Sequence, residues 1–424
     1  MNTRNQRWLG VATLFLVVAI SYVDRINIAV LITQNDFLRH LGITVHDRGA
    51  QGLLATAFMA GYGLSAILFT PFCAALFGVR RSLIYGLCLW GLITFVSPWF
   101  NSYGMLLTSR ALLGFAEGPL FALGSSYIKA HFDSGESGKP NALFNMGTGL
   151  GLAVGYPLIG YTVALLDWES SFHLLGLLNV LLGVPLVLAF VRMPLSYAAL
   201  PRPESPRAAL ATVADLFRGA FHTRHILTMT LLTAAFLAYL WGSSNWLPAY
   251  LQQARGFSLR EMGWLASLPQ YAVVLGVLLG GLLLDLTPRR RVPLIFVFAS
   301  MGVALAVLLA INSADRYTAA YCLTAAGLCW GLQSPAIPST VQYYSRAEHV
   351  ACAFGITNGV GGLTAGLMPV LMGWLISLSG DSGGGFALGF ASLIGTQVVV
   401  IACGLALLRG DQTVVVQAQA SPTL

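Results

Sequence analysis

Charge is scarce in this chain. Of its 424 residues only 9% are Asp, Glu, Lys or Arg, while 56% are hydrophobic and the mean hydropathy is +0.74. A soluble protein of that length needs more charge to cover its surface, so the composition excludes a soluble domain and points to a polytopic helical membrane protein. Metal-type cysteine pairs are missing. The six cysteines, at 73, 88, 322, 329, 352 and 403, fall mostly within apolar segments without CxxC spacing and read as small packing residues. No small-residue cleavage site follows the first apolar run, which is about as long as a bilayer-spanning helix (roughly 20 residues), so no cleavable signal peptide is expected. The seven histidines (40, 46, 131, 173, 222, 225, 349) sit mostly in loops. With no nucleophile–base or metal constellation at bilayer depth, a membrane-embedded enzyme is disfavoured, and no cofactor or metal is expected.

What the chain has in quantity is apolar runs. Twelve candidate spans follow in order, at about 8–33, 51–75, 82–100, 103–130, 140–166, 170–192, 226–252, 261–285, 292–312, 317–343, 350–378 and 386–408. Each is long enough to cross the hydrocarbon core as a helix that satisfies its own backbone polar groups. The fold class expected is an all-α membrane protein of twelve transmembrane helices in two pseudo-symmetric six-helix bundles, residues 1–192 and 226–424, joined by a cytoplasmic linker over 193–225. That linker carries Pro194, Pro201, Pro203 and Pro206, and its later part, Arg207 to Gly219, has the pattern of an amphipathic surface helix. Six plus six around a central linker is the organisation of transporters whose site lies at the midplane between two halves.

Placing both termini in the cytoplasm puts sixteen of the 23 Lys and Arg on that side and five outside, leaving Arg25 and Arg110 within spans. The bias agrees with the positive-inside rule. It also accounts for the net charge of +7 without a nucleic-acid partner.

Of the 16 carboxylates, only Asp24 and Glu117 lie well within spans, and Asp285 sits at the cytoplasmic end of the eighth. The membrane interior therefore holds Asp24, Arg25, Arg110 and Glu117, all in the first half. Ionised groups at bilayer depth cost at least a few kcal/mol each and usually mark a pathway or site. Neighbours on a helix project about 100° apart, so Asp24 and Arg25 face different spaces. One division turns Arg25 to a central cavity and Asp24 towards a neighbouring helix. Arg110 and Glu117, seven residues apart, share a face of the fourth span, with Gly114 between them permitting close helix approach.

For Asp24 and Arg110 a purely structural pairing stands level with a functional role. For Arg25 function is favoured, because Asp24 does not neutralise it on its own face. An unpaired cavity guanidinium suits bidentate binding of a substrate carboxylate. Glu117 is the better candidate for a carried proton, since burial raises a carboxyl pKa and a nearby Arg lowers it, making its titration depend on its neighbours in each state. Tyr62 reads equally as a hydrogen-bond donor to an anion on Arg25 or as packing. Ser243, Ser244, Asn245, Gln270, Gln333, Ser334 and Asn358 interrupt apolar runs of the second half. Ser244, Gln270 and Asn358 are the candidate substrate contacts among them, and interhelical hydrogen bonding is the alternative for each.

These residues resemble the major facilitator superfamily and, more narrowly, its anion:cation symporter family, which includes bacterial sugar-acid and other organic-anion transporters, lysosomal sialin and vesicular glutamate carriers. Tyr22-Val23-Asp24-Arg25-Ile26-Asn27 is similar to the family's first-helix N/S-Y-x-D-R-x-N, and Arg110-x6-Glu117 to its fourth-helix pattern. The resemblance implies that Arg25 binds the substrate carboxylate with Tyr62 and Asn358, that Asp24 and Glu117 couple protons, and that Arg110 adjusts their ionisation. Gly281 to Arg290 resembles the loop signature G-x3-D-R/K-x-G-R/K, which implies gating by Asp285 and Arg289. The corresponding loop after the second span, Cys73 to Arg81, lacks the acidic residue. Within the fifth span, the stretch Gly147 to Gly155 has Thr148 as its one polar residue, so a richly hydroxylated substrate finds few partners there.

The function expected is proton-coupled uptake of a small organic anion, a sugar acid or another carboxylate, by alternating access. An uncoupled uniporter, an anion exchanger or an exporter of monocarboxylates or aromatic acids is the alternative. The expected setting is a bacterial inner membrane, the partners being the anion, protons and lipid, and the expected state a monomer.

Overall fold

The computed structural model describes residues 3–31, 34–43, 48–194, 206–257, 259–378 and 383–420. Every regular element among them is a helix. That follows from the composition: inside hydrocarbon only a helix or a closed barrel satisfies its own backbone groups, and these runs have the length of helices. Residues 195–205 of the expected linker lie outside the described residues.

Span 1 is Thr3–Leu31. Span 2 begins as Arg48–Leu68 and continues through Thr70–Phe72 into a π-helical turn, Cys73–Phe77. Span 3 is Gly78–Val96. Span 4 runs Tyr103–Glu117, breaks at Gly118-Pro119, and resumes as Leu120–His131. Span 5 is Gly138–Leu165, and span 6 runs Trp168–Leu177 through a π turn to Val184–Phe190. Then come a connecting helix, Pro206–Phe221, span 7 at Ile226–Ala249, span 8 at Leu259–Leu286 and span 9 at Pro293–Asn312. Span 10 is Arg316–Gln333 resumed as Ala336–Tyr344 after Ser334-Pro335; span 11 is Val350–Ala365 with Met368–Leu378; span 12 is Gly383–Ala420.

Ten helical runs among the described residues are long and apolar enough by themselves to cross a membrane. One of these, Thr70–Trp99, contains Gly78 at φ +72, a conformation no helix interior adopts, so the chain breaks there into spans 2 and 3. Leu53–Leu68 falls short alone and gains length from the Thr70–Phe77 continuation. Both spans 4 and 10 are interrupted by a proline, which lacks the N–H that would continue the ladder.

Two compact units result. One comprises Met1–Phe132, Leu143–Thr223 and Ser345–Leu363; the other comprises Asp133–Ala142, Arg224–Tyr344 and Thr364–Leu424. Within the first, spans 2 and 4 cross with backbone against backbone. A β-carbon added to Gly61 would lie 2.0 Å from the Ala111 carbonyl oxygen, and one on Gly114 would lie 2.0 Å from that of Phe58. Within the second, spans 8 and 10 do the same: a β-carbon added to Gly276 would lie 2.2 Å from the Leu328 carbonyl oxygen, and one on Gly331 would lie 2.4 Å from that of Val273. The same crossing, built from the same residue type, thus occurs at corresponding spans of each set of six. The expected close approach at Gly114 is present.

The connecting helix buries Val213, Leu216 and Ala220 while Leu210 and Phe221 remain exposed. Its apolar face packs on the Thr70–Phe77 end of span 2, where the sequence pattern predicts a membrane-surface helix.

Candidate functional site

Ser21 and Arg25 stand one turn apart on span 1 and face Glu117 of span 4. Arg25 Nε donates to Glu117 Oε2 at 3.1 Å, and Ser21 Oγ donates to the same oxygen at 2.7 Å. The side chains are 5% and 0% exposed. This corrects the expectation that Arg25 is unpaired: its partner, Glu117, comes from the fourth span. The pairing is incomplete, because Arg25 Nη2 and Glu117 Oε1 are both buried without a hydrogen-bond partner.

Aromatic rings fill the remaining surroundings of the guanidinium. Its central carbon lies 4.4 Å from the Tyr22 ring centroid, 4.6 Å from that of Tyr62 and 5.1 Å from that of Phe58. Each such contact returns roughly 0.5–2 kcal/mol to a desolvated cation. Asn358 Nδ2 donates to the Tyr62 hydroxyl at 2.7 Å, so the three expected anion-site residues Arg25, Tyr62 and Asn358 come together within one unit.

Asp24 turns away, as the 100° step requires. It is 1% exposed and accepts from Thr94 Oγ1 at 3.3 Å and from Asn179 Nδ2 at 2.8 Å. Asn179 Oδ1 in turn accepts from Trp90 Nε1 at 2.7 Å. Spans 3 and 6 therefore supply a neutral cradle for this carboxyl. The alternative of an Asp24–Arg110 ion pair is not formed: among the described residues no carboxylate oxygen lies within 4.0 Å of Arg110. Arg110 is 2% exposed, stands 5.0 Å from the Phe58 ring centroid, and leaves Nε without a partner. Asn27, fully buried, leaves both amide atoms unpartnered.

In the second unit a cavity is lined by Tyr239, Ser244, Pro269, Gln270, Trp330 and Phe390, among others. Both second-half candidates, Ser244 and Gln270, lie in it, with Gln270 Nε2 3.5 Å from Ser244 Oγ and Gln270 Oε1 unpartnered. At the end of span 8, Asp285 accepts from the backbone N–H of Gly138 at 2.7 Å and of Lys139 at 3.2 Å. It thereby caps the first turn of span 5, where helix donors lack internal acceptors. Arg289 donates to Ser339 Oγ at 2.9 Å and Ser137 Oγ at 3.0 Å. Among the described residues no group of three or more His, Cys, Asp or Glu is placed to hold a metal ion.

Sequence reasoning missed Ser21, Phe58, Trp90, Thr94 and Asn179. Asn179 carried a signal, an amide in the middle of the apolar run 170–192; Phe58, one more ring among apolar neighbours, carried none.

Residues 14–369 match the model of the Major Facilitator Superfamily. The chain is 26% identical to a probable galactarate/D-glucarate transporter of Bacillus subtilis, over 89% of this chain and 87% of that protein. It is 27% identical to a probable sulfoacetate transporter of Cupriavidus necator, over 88% and 87%. Among solved structures, the human organic anion transporter MFSD10 superposes with a TM-score of 0.74 at 17% identity, covering 95% of this chain and all of that one.

Proposed function

Because the chain belongs to the Major Facilitator Superfamily, we propose that it takes up a small organic anion with protons by alternating access, Arg25 binding the substrate carboxylate. The chain is a multi-pass membrane transporter and not an enzyme. The observation that carries the anion reading is the buried, half-satisfied pair of Arg25 and Glu117, with Nη2 on one side and Oε1 on the other left without partners.

A substrate carboxylate and Glu117 compete for one guanidinium. In dry surroundings two anions on one cation leave a net negative charge that is costly to bury. A proton on Glu117 removes that charge and releases Arg25, so anion and proton load together. Tyr62 and Asn358 offer further polar contacts beside Arg25, and Gln270 and Ser244 offer them in the cavity of the second unit. Asp24 is the second proton-coupling carboxyl, held by Thr94 and Asn179, with Arg110 adjusting the field on both carboxyls. Asp285 and Arg289 gate the cycle through the cap on span 5 and the serine contacts, which form and break as it turns. The relatives named for galactarate, glucarate and sulfoacetate support an organic anion as substrate. The setting is a bacterial inner membrane with both termini cytoplasmic, the protein is a monomer, and the functional halves are 1–192 and 226–424 joined by 193–225.

Uptake of labelled carboxylates into proteoliposomes tests the reading. Arg25→Ala and Arg25→Lys are expected to fold and to lose uptake; saturable uptake retained by both variants overturns the assignment. Anion movement without accompanying protons in the wild type moves the protein to the uniporter or exchanger class.

A further inference from the structure

On the outer face of the first unit we infer a binding site for an anionic phospholipid, with one acyl chain in a cavity between spans 2, 3 and 4 and the headgroup on Arg81. The inference does not depend on which anion is carried.

The cavity measures about 260 Å³. It lies where three irregularities meet: the π turn Cys73–Phe77, the break of span 4 at Gly118-Pro119, and Gly86 of span 3, which has no side chain to fill the gap. Leu83, Trp90, Leu120 and Leu123 wall it and are all buried. Its mouth opens among Phe77, Tyr85, Leu89 and Phe115, which are 38–55% exposed. The polar side chains of the wall are mostly used elsewhere. The Ser82 hydroxyl donates to the Cys73 carbonyl at 3.1 Å, and the Trp90 N–H to Asn179 Oδ1 at 2.7 Å. What remains is the Cys73 thiol, a weak donor, and the exposed Tyr85. A buried water needs two to four polar partners, whereas an apolar cavity of about 150 Å³ takes up benzene. This larger one suits a length of hydrocarbon.

The spans around it cross a bilayer, so the mouth meets acyl chains rather than water. The charge beside it selects among lipids. Arg81 precedes Tyr85 by one turn and Leu89 by two, which places the three on one face of span 3. Arg81 is exposed, and among the described residues no carboxylate oxygen lies within 4.0 Å of it. A guanidinium there attracts a lipid phosphate whose headgroup carries net negative charge. Arg80 turns elsewhere, its Nη2 donating to the Leu188 carbonyl of span 6. Occupancy reaches the candidate site through Trp90. A chain in the cavity packs on that ring, whose N–H holds the amide of Asn179, itself the donor to Asp24. The lipid thereby braces the cradle of that carboxyl.

The test places the full-length protein in phosphatidylcholine vesicles and titrates in phosphatidylglycerol with brominated acyl chains, which quench tryptophan on contact. Trp90 is 1% exposed, so a chain reaches it through the cavity, and the quenching missing from Trp90→Phe is its share. Brominated phosphatidylglycerol is expected to half-quench that share at a mole fraction at least about fivefold lower than brominated phosphatidylcholine, the effect of one arginine near a charged lipid. Arg81→Gln is expected to remove the preference. Native mass spectrometry gives a second readout that needs no Trp90 variant. The wild type should retain phosphatidylglycerol over phosphatidylcholine by a similar factor, and Arg81→Gln and the mouth-filling Leu89→Trp should both lose it. Absence of Trp90 quenching, equal action of the two lipids, or equal retention by the wild type and Leu89→Trp overturns the site. An undiminished preference in Arg81→Gln overturns the headgroup assignment.

Discussion

Replacing Gly114 with alanine is expected to push spans 2 and 4 apart and to damage the anion site through them. The added β-carbon would lie 2.0 Å from the Phe58 carbonyl oxygen and 2.9 Å from both the Phe58 carbonyl carbon and the Tyr62 nitrogen, whereas ordinary contact begins near 3.4 Å. The crossing must therefore open by about 1.4 Å, the difference between 3.4 and 2.0. All three atoms are backbone, so no side-chain rotation relieves the clash. Overpacking of this kind costs about 1–3 kcal/mol. It also displaces the two residues, Phe58 and Tyr62, whose rings face Arg25. The assay is thermal unfolding of the purified protein, with and without substrate. Gly160→Ala is the control, since a β-carbon there meets no atom within 4 Å and the helix gains roughly 0.5–1 kcal/mol from the better helix former. Gly114→Ala is expected to unfold at lower temperature and to lose ligand stabilisation. Equal stability and equal ligand response in the two variants would refute the close crossing as the site's support.

Asn179→Leu removes the 2.8 Å donor to Asp24 and the acceptor of the Trp90 indole. Stranding these buried groups should cost about 1–3 kcal/mol, and wild-type thermal stability would show that the cradle does not matter. Asp285→Ala strips the cap from Gly138 and Lys139 and is expected to alter the rate of substrate exchange with little change in affinity; an unaltered exchange rate sinks the gating role. Asp315, outside the spans, has its carboxyl held below the usual carboxylate range by the Thr318 hydroxyl and then the Thr318 backbone N–H. Its folded pKa being the lower one, its stabilisation is present above the unfolded value, about 3.9, and is lost only as the pH falls through the folded value. The melting-temperature deficit of Asp315→Ala should therefore be flat between neutral pH and mild acid and shrink only in strong acid; a deficit that vanishes near neutrality contradicts the cap.

The four buried charges were legible because hydrocarbon makes each one conspicuous, and the divergence of Asp24 from Arg25 follows from helix geometry alone. Which arginine meets which carboxylate was not legible. Arg110 and Glu117 share one face of span 4, so either could meet span 1, and the choice depends on the axial register between two helices. A one-chain pattern of apolar and polar residues does not encode that register. The cradle of Asp24 was half legible. An amide in an apolar run announces a partner but not whose, and Thr94 looks like any threonine bonding its own helix. The boundary between spans 2 and 3 was legible, because the two apolar runs leave 76–81 between them and the break falls there, at Gly78 after the π turn Cys73–Phe77.

The claim at the centre is that one buried guanidinium is shared between Glu117 and the substrate, with a proton deciding the exchange. Glu117→Gln in proteoliposomes separates the two halves of that claim within one preparation. Substrate counterflow should survive, because Arg25 remains available, while accumulation driven by an imposed proton gradient should disappear. Accumulation that persists at the wild-type level in Glu117→Gln would contradict the account.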